Sequence, residues 1–457
     1  MSDVDGHFLR LARRTALGVI GVGALGFGLW PRKPRSVAEI GVGRTVVDYW
    51  EKWTGPEGEA MQRVVDVFNG SQGRIFVRRI PVSDITSKAK VAIGGGDPPD
   101  VLGLYSYSVP QFAYAKAAMA LDDAALGEHA LDASVYAPAV AKLLTFEGRL
   151  WGGVSSTYSL ALYRNRAMFK EAGLDPDRPP RTVSELDAMS QRFEKRAANG
   201  GLERVGFLHT LPAWWPYFWP IMFGGSLFDE ASKKVLIASP ECVKTYAWVQ
   251  RTMARLGPDA AAQISGNFSR FFHSAKDPFI SGAVPMIVQG PWIANFIRIH
   301  RPELDYDASP VPVDDGMYDE PNGLLNAARP TGMLEADVLM IPRGCKHPLE
   351  AAEFIKFTQR QEVQEAFCRE HAKASPLAKV SGEFLRTHPN RAIGTHVAIT
   401  QSGAVQVLPQ TPVWQAYADL ITSAFDKICN GAAVSETLGA VGQRAQQMVD
   451  IAETRRA

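Results

Sequence analysis

Residues 214–219 read Trp-Trp-Pro-Tyr-Phe-Trp, five aromatic rings in six positions, with Pro212, Pro216 and Pro220 spaced through them. Flat faces of this kind stack on the apolar CH faces of sugar rings or on other planar ligands, while tyrosine hydroxyls and indole N–H groups reach hydroxyls. The prolines hold the segment out of a regular helix. Trp214, Trp215, Tyr217 and Trp219 therefore read as a cleft wall in preference to plain core. Further along, 279–293 (FISGAVPMIVQGPWI) places a short apolar strand before the turn Gln289-Gly290-Pro291-Trp292. Glycine permits close backbone approach and proline sets the exit angle, so the turn displays an amide and an indole. Taken alone, Trp292 reads equally as a ligand platform and as packing beneath the helix that follows.

Other aromatics sit at the ends of strand-like runs. Tyr105 and Tyr107 follow 101–104, Trp50, Glu51 and Trp53 follow 45–50, and Tyr158 falls between two strand signals. Trp414 and Tyr417 lie at a proline-bounded helix start. Open α/β sheets hold ligands outside the carboxyl ends of their strands. Each ring singly is more often a packing residue; together they are several aromatics at strand ends. Glu51, Asp48 and Asp100 are carboxylates near strand ends and leave a glycosidase-type acid–base pair open, although Asp100 after Pro98-Pro99 reads better as a turn or cap. There is no G-x-S-x-G elbow and no H-E-x-x-H, and the nine histidines form no i, i+4 pair suited to metal. The triplet Gly94–Gly96 follows a helix and lacks a phosphate-loop pattern. No catalytic residue, cofactor or metal is expected.

The elements that must position these residues alternate. Strands are expected at 45–50, 74–81 and 101–104, with helices at 57–69 and 84–93 between them, which implies parallel β–α–β units. Helix 111–121, a hairpin over 146–154 turned at Glu147-Gly148, strand 160–163 and helix 166–172 follow. Thr182, with Glu185 at capping-box spacing, opens a helix over 183–199, and 205–207 reads as a strand. Helices are expected at 240–256, 348–359, 361–370, 411–430 and 435–454, and a strand at 338–341. The Pro-, Asp-, Asn- and Gly-rich stretch 302–332 reads as a long crossing loop.

At 457 residues the chain exceeds one ordinary core. With 49 Lys and Arg against 48 Asp and Glu it carries no electrostatic footprint for nucleic acid. Cys242, Cys345, Cys368 and Cys429 show no C-x-x-C spacing and read as buried, inert thiols. Arg10, Arg13 and Arg14 precede an apolar, glycine-rich run at 15–30, the form of an export signal with a faint twin-arginine look. No clean A-x-A site follows it, so an uncleaved anchor stays open.

Several segments, in order, resemble the extracellular solute-binding proteins of ABC importers, in the carbohydrate-binding group that includes maltose-binding protein. They are GGGDPPDV (94–101), GRLWGGVSSTYSLALYRNRAMFKEAGL (148–174), PPRTVSEL (179–186), FISGAVPMIVQGPW (279–292), IPRGCKHPLEAAEFIKF (341–357) and PVWQAYADLITSAFDKICNGAAVSETL (412–438). The resemblance implies an α/β, two-lobed periplasmic-binding-protein fold, each lobe a sheet flanked by helices, with the ligand cleft between lobes. The expected division is a signal or anchor segment and linker at 1–43, an N-terminal lobe of 44–155 plus 313–360, and a C-terminal lobe of 156–312 plus 361–457. Carried over by position, Tyr105 and Tyr107 match first-lobe contacts, Tyr158 a hinge-side position and Trp214, Tyr217 and Trp219 the second-lobe wall. Trp292 matches the stacking tryptophan of G-P-W, Trp414 or Tyr417 the C-terminal contact, and Trp50 to Trp53 the first strand end. The sequence departs from the pattern in lacking a lipoprotein cysteine, in a longer crossing loop at 314–336, and in aromatics where acidic side chains usually meet sugar hydroxyls. The implied role is a monomeric, non-enzymatic, exported carrier of a carbohydrate, with permease subunits as partners and no nucleic acid. A secreted carbohydrate-processing enzyme and a membrane-tethered sensor are the alternatives.

Overall fold

Strand β1 (Thr45–Glu51) begins the ordered architecture, with Val47 and Tyr49 fully buried. Helix α1 (Gly55–Ser71) starts on Pro56 and buries Ala60, Met61, Val64, Val65 and Phe68, the face its apolar spacing sets out. It delivers the chain to β2 (Ile75–Pro81), and α2 (Ile85–Gly94) delivers it to β3 (Val101–Tyr105). Both β2 and β3 pair with β1 in parallel, as the alternating pattern implies. The computed structural model describes residues 43–456, apart from positions 199, 213, 270, 271, 273 and 319–329. The export or anchor run at 15–30 lies outside the described residues. Among the described residues, no helix is long and apolar enough to cross a membrane.

The expected helix 111–121 is two elements. Helix α3 (Val109–Tyr114) stops, Lys116 takes a positive φ of 51°, and Ala118–Met119 forms β4. Helix α4 (Pro138–Leu144) leads into a hairpin whose turn residues Glu147 and Gly148 both have positive φ. Strands β5 (Gly153–Ser159) and β6 (Ala161–Asn165) follow with only Leu160 between them. Helix α5 (Val183–Phe193) is capped by the Thr182 hydroxyl, which accepts from the Glu185 N–H at 3.3 Å. It ends six residues before position 199, where Lys195–Arg196 and Leu202–Arg204 instead pair as a hairpin. The strand expected at 205–207 is therefore absent at those positions; the strand there ends at Arg204. Helix α6 (Pro240–Leu256) has the expected bounds.

The opening turn of the second aromatic region is carried by β7 (Met286–Gln289), followed by α7 (Ile293–His300). Within the supposed loop 302–332 lies β8 (Tyr306–Ser309), which pairs with β6. Strand β9 (Met333–Pro342) is buried at all ten positions and is far longer than the expected 338–341. The remaining elements of the site's scaffold are α8 (Pro348–Thr358), α9 (Gln361–Glu370), β10 (Gln406–Val407), α10 (Trp414–Cys429) and α11 (Val434–Arg456).

The first sheet runs β10–β9–β3–β1–β2, with β4 and β5 also pairing with β9. The second runs β7–β6–β8, antiparallel throughout. Each has its own core. One gathers Val47, Tyr49, Leu102, Leu339 and Phe354; the other gathers Tyr163, Phe169, Tyr246, Phe279 and Ile287. The chain passes between them at Leu160, whose N–H donates to Met333 O at 3.0 Å. It passes again at the start of β9, where Met333 belongs to the second core and Leu334 to the first. This is a two-lobed α/β fold with adjacent crossing strands.

Candidate functional site

The crossing strands bring polar and aromatic side chains to one place. On β9, Glu335 and Asp337 are two residues apart and so share a face. The antiparallel register sets Glu335 opposite Tyr158 and Asp337 opposite Ser156 on β5, while Asp337 faces Tyr105 on β3. Asp337 is the electrostatic centre. Lys373 Nζ donates to its Oδ2 at 3.1 Å, Lys52 Nζ lies 3.2 Å from its Oδ1, and the Ser156 hydroxyl donates at 2.9 Å. Burial works to raise this carboxyl, but Lys373 and Lys52 outweigh it and hold the pKa at about 2. Both lysine pKa values move the other way; burial would lower them, and the carboxylates raise them.

Glu335 is different. Burial pushes its carboxyl up to about 7, against the hydrogen bond from the Tyr158 hydroxyl and with help from the Asp337 charge. The Tyr217 hydroxyl reaches toward the same carboxyl from the second lobe, short of full hydrogen-bond geometry, so Oε1 keeps an open lone pair among the described residues. The floor of the site thus holds one firmly ionised acid between two ammonium groups and, beside it, one acid that takes up a proton near neutrality.

A continuous series of ring contacts extends from this floor. Tyr158 meets Trp292 edge-on at 5.2 Å between centroids, Trp292 meets Trp215 at 5.9 Å, and Trp215 meets Trp214 at 5.3 Å. In the other direction Lys373 Nζ lies 5.8 Å from the Tyr158 ring and 5.0 Å from Trp53, and Lys52 Nζ lies 4.5 Å from Trp53 and 4.7 Å from Tyr105. Tyr105 then stacks on Tyr107 at 5.2 Å and 12°. Cations over ring faces are attractive at such distances. The series runs from the first-lobe sheet, across the hinge strands, to the second-lobe wall.

The glycine of the turn is required by Trp292. That indole folds back over Gly290 so closely that a Cβ there would stand 2.1 Å from a carbon of the ring, far inside contact distance. The residue in front of the proline must be glycine for the platform to take this pose. Gly290→Ala is expected to expel the indole, at a cost of about 1–3 kcal/mol from overpacking, and to change near-ultraviolet circular dichroism. An unchanged spectrum and melting temperature would contradict the placement.

The structure places Trp53, Tyr105, Tyr107, Tyr158, Trp214, Trp215, Tyr217, Gly290 and Trp292 in or beside this series. The other candidates lie elsewhere. Glu51 is fully buried, its carboxylate accepting from the Tyr49 hydroxyl and from the backbone N–H groups of Lys52 and Trp53. Trp50, half-buried, packs against the first core. Trp219 is 4% exposed and turned into the second core against Phe207 and Trp248. Gln289 is fully buried, and its Oε1 accepts from the Gly290 N–H. Trp414 and Tyr417 sit on the inner face of α10; Trp414 backs the Tyr217 ring at 5.1 Å, and the Tyr417 hydroxyl donates to Leu227 O. Of these residues, Trp414 supports the wall from behind.

The carboxylates weighed for catalysis are spoken for. Asp48 receives Arg78 at 2.8 Å through two nitrogens, and Asp100 accepts from the backbone N–H groups of Asp48, Lys346 and His347. Cys242, Cys368 and Cys429 are buried free thiols and Cys345 is half-buried, all with pKa values raised by burial. Among the described residues, no group of three His, Cys, Asp or Glu is placed to hold a metal.

A larger cavity of about 410 Å³ lies beside the crossing strands, lined by Lys142, Tyr217, Phe228, Glu230, Met333 and Leu408 among others. It shares only Tyr217 with the aromatic series and offers none of the tryptophan faces. Chemistry therefore points to the ring series, and volume alone points to the cavity; the ring series carries the stacking and hydrogen-bonding groups that recognition needs.

Two lobes, adjacent crossing strands and an aromatic face with buried charge at the hinge define the class of two-lobed solute-binding proteins. The profile of the bacterial extracellular solute-binding protein family matches residues 53–365. The chain belongs to that family. The sn-glycerol-3-phosphate-binding periplasmic protein UgpB of Yersinia pestis bv. Antiqua is 29% identical over 168 residues, 34% of this chain and only 37% of that relative's length. The maltotriose-binding protein of Pyrococcus abyssi is 21% identical over 332 residues, 71% of this chain and 65% of that one. Among solved structures, CpMnBP1 with mannobiose bound aligns with a TM-score of 0.73 at 24% identity, covering 88% of this chain and 100% of that one. The sugar-binding protein MalE from Xanthomonas citri aligns with a TM-score of 0.70 at 17% identity, covering 90% and 98%. These likenesses establish the two-lobed fold.

Proposed function

We propose that the chain is the substrate-binding component of an ABC importer, capturing a carbohydrate or glycoside outside the cytoplasmic membrane and delivering it to permease subunits by lobe closure. The observation that carries this reading is the single ring series that joins both lobes through the hinge strands, with open hydrogen-bonding capacity at Glu335. Trp292, Trp215, Tyr107 and Tyr105 supply flat faces; Tyr158, Tyr217 and Glu335 supply directional hydrogen bonds. A ligand touching both lobes favours the closed arrangement by its differential contacts. The relatives named for maltotriose and mannobiose binding support the substrate class. The reading includes a monomer that binds no nucleic acid, turns over no substrate, and is exported or tethered through its N-terminal run, with a twin-arginine route as the finer option.

Lys52 and Lys373 do not recommend an anionic ligand such as a polyol phosphate, because Asp337 and Glu51 already match them. The experiment is a tryptophan-fluorescence titration of the chain with maltotriose, mannobiose and sn-glycerol-3-phosphate. A saturable change with a neutral saccharide is expected, and Trp292→Ala should weaken it at least about tenfold, the loss of a buried aromatic anchor. Full affinity in Trp292→Ala, or saturation by the phosphate alone, overturns the reading.

A further inference from the structure

Behind the second-lobe wall lies a cavity that carbohydrate stacking does not use. It measures about 10 Å³ and is lined by His209, Leu211, Trp215, Phe218, Trp219 and Val288, with Pro212 at its edge. That is the space of about one water molecule by this measure. Its polar lining is orphaned: both ring nitrogens of His209 and the indole nitrogen of Trp219 are buried without a hydrogen-bond partner among the described residues. The two side chains are 2% and 4% exposed. Neighbouring Trp248 stands 4.2 Å from His209 between ring centroids, but its own N–H is committed to Asp187 at 2.9 and 3.1 Å. A buried polar group left unmade costs about 1–3 kcal/mol, so the Trp219 N–H and a His209 nitrogen beside one cavity call for an occupant.

The lining defines that occupant. Burial first, and then the Arg255 charge, hold His209 neutral, with its pKa lowered to about 3. A neutral imidazole has one N–H donor and one bare nitrogen acceptor. The two nitrogens point to opposite edges of the ring, so a single occupant reaches only one of them; with the Trp219 N–H, the cavity offers one indole donor and one imidazole nitrogen that either donates or accepts. A hydroxyl oxygen, which has both lone pairs and a hydrogen, matches either tautomer. A metal cation finds one nitrogen lone pair and no carboxylate, and an anion finds no positive charge within the lining.

We propose that this cavity is a site for a single neutral hydroxyl oxygen, held by Trp219 and His209: water in the free protein, or an alcohol group of a bound polyol. Because Trp215 forms its wall and also meets Trp292, the occupant backs the ligand platform from inside the second lobe. Only that last step rests on the carbohydrate reading; the oxygen site does not.

The test is a high-resolution crystal structure of the whole chain grown without polyols, and a second after soaking in maltotriose. One ordered oxygen within hydrogen-bond distance of the Trp219 indole nitrogen and of a His209 nitrogen in the first crystal supports the site with water as occupant. The same position filled only in the second supports it with the alcohol as occupant. A cavity empty in both, or both side chains bonded directly to protein groups, overturns it. Trp219→Phe keeps the ring and deletes the N–H; its crystals should lose the oxygen or leave it on His209 alone, and full retention in place also counts against the site. Failure of maltotriose to bind leaves the first crystal's result intact, so the two readings fail separately.

Discussion

Replacing Asp337 by asparagine should destabilise the fold by about 3–5 kcal/mol, because it leaves two buried ammonium groups without the charge that compensates them. The side chains of Lys52, Lys373 and Asp337 are 7%, 4% and 3% exposed. Lys52 keeps Glu51 at 3.5 Å and a carbonyl at 3.1 Å, whereas Lys373 keeps the more distant Glu57 at 3.8 Å, the Ser156 hydroxyl at 3.3 Å and the Trp53 and Tyr158 rings. Lys373 is the group that suffers most. With Asp337 neutral, burial dominates its titration, and it must lose its proton or draw in water. Urea unfolding at neutral pH reads the loss as a lower midpoint at unchanged slope. The double variant Asp337→Asn with Lys373→Met should recover part of it, since the uncompensated charge is then gone. A single variant that loses less than about 1 kcal/mol would show that the lysines are solvated, and the site as described would not exist.

The same three residues explain what was legible in the sequence. The parallel units at 45–105 could be read because each element carries its own signal: strands rich in β-branched and aromatic residues, an amphipathic α1, glycines at the helix stop. Thr182 announced a helix start for the same local reason, and its hydroxyl accepts the expected backbone N–H. Strand β9 gave such a signal only at 338–341, not over its first half. Its buried face carries Glu335 and Asp337, and acids in an apolar run look like loop. What makes them tolerable is remote: Lys52 lies far earlier in the chain, and Lys373 follows a helix with no local feature to mark it. Compensation by non-local charge is invisible to periodicity.

The aromatic segment 214–219 shows the matching limit for the site. Prolines take it out of any regular repeat, so spacing does not say which rings face inward. Trp215 faces Trp292, and Trp219 faces the core beside His209, although both belong to the same dense cluster. Trp414 and Tyr417, at helical spacing, fall on the buried face of α10, where a stripe of large residues ordinarily belongs. By contrast, Gly290-Pro291-Trp292 could be picked out because its glycine has a purely local cause, the ring that lies over it.

Glu335 should make stability fall as pH rises from about 4.5 to 7. Its folded pKa of about 7 stands above the ordinary value of 4.5, so within that window the folded chain holds a proton that the unfolded chain has released. Below the window both states are protonated and the residue contributes nothing; above it the penalty of burying the charge is complete, on the order of 3 kcal/mol. Asp337 does not confuse the result, because its depressed pKa gives stability that is present above the ordinary carboxylate range and lost only as pH falls toward about 2. The Glu335→Gln variant keeps the shape and an acceptor for the Tyr158 hydroxyl but has no proton to lose. Urea midpoints from pH 5 to pH 8 should therefore diverge, with wild type declining relative to the variant as pH rises. Parallel curves would mean that the carboxyl titrates as if in water. The same proton bears on recognition. A protonated Glu335 offers a hydroxyl donor at the hinge, and an ionised one offers only acceptors. Saccharide affinity in the wild type should then change with a midpoint near 7 that is absent from Glu335→Gln, which ties the acid on the crossing strand to the ligand as well as to the fold.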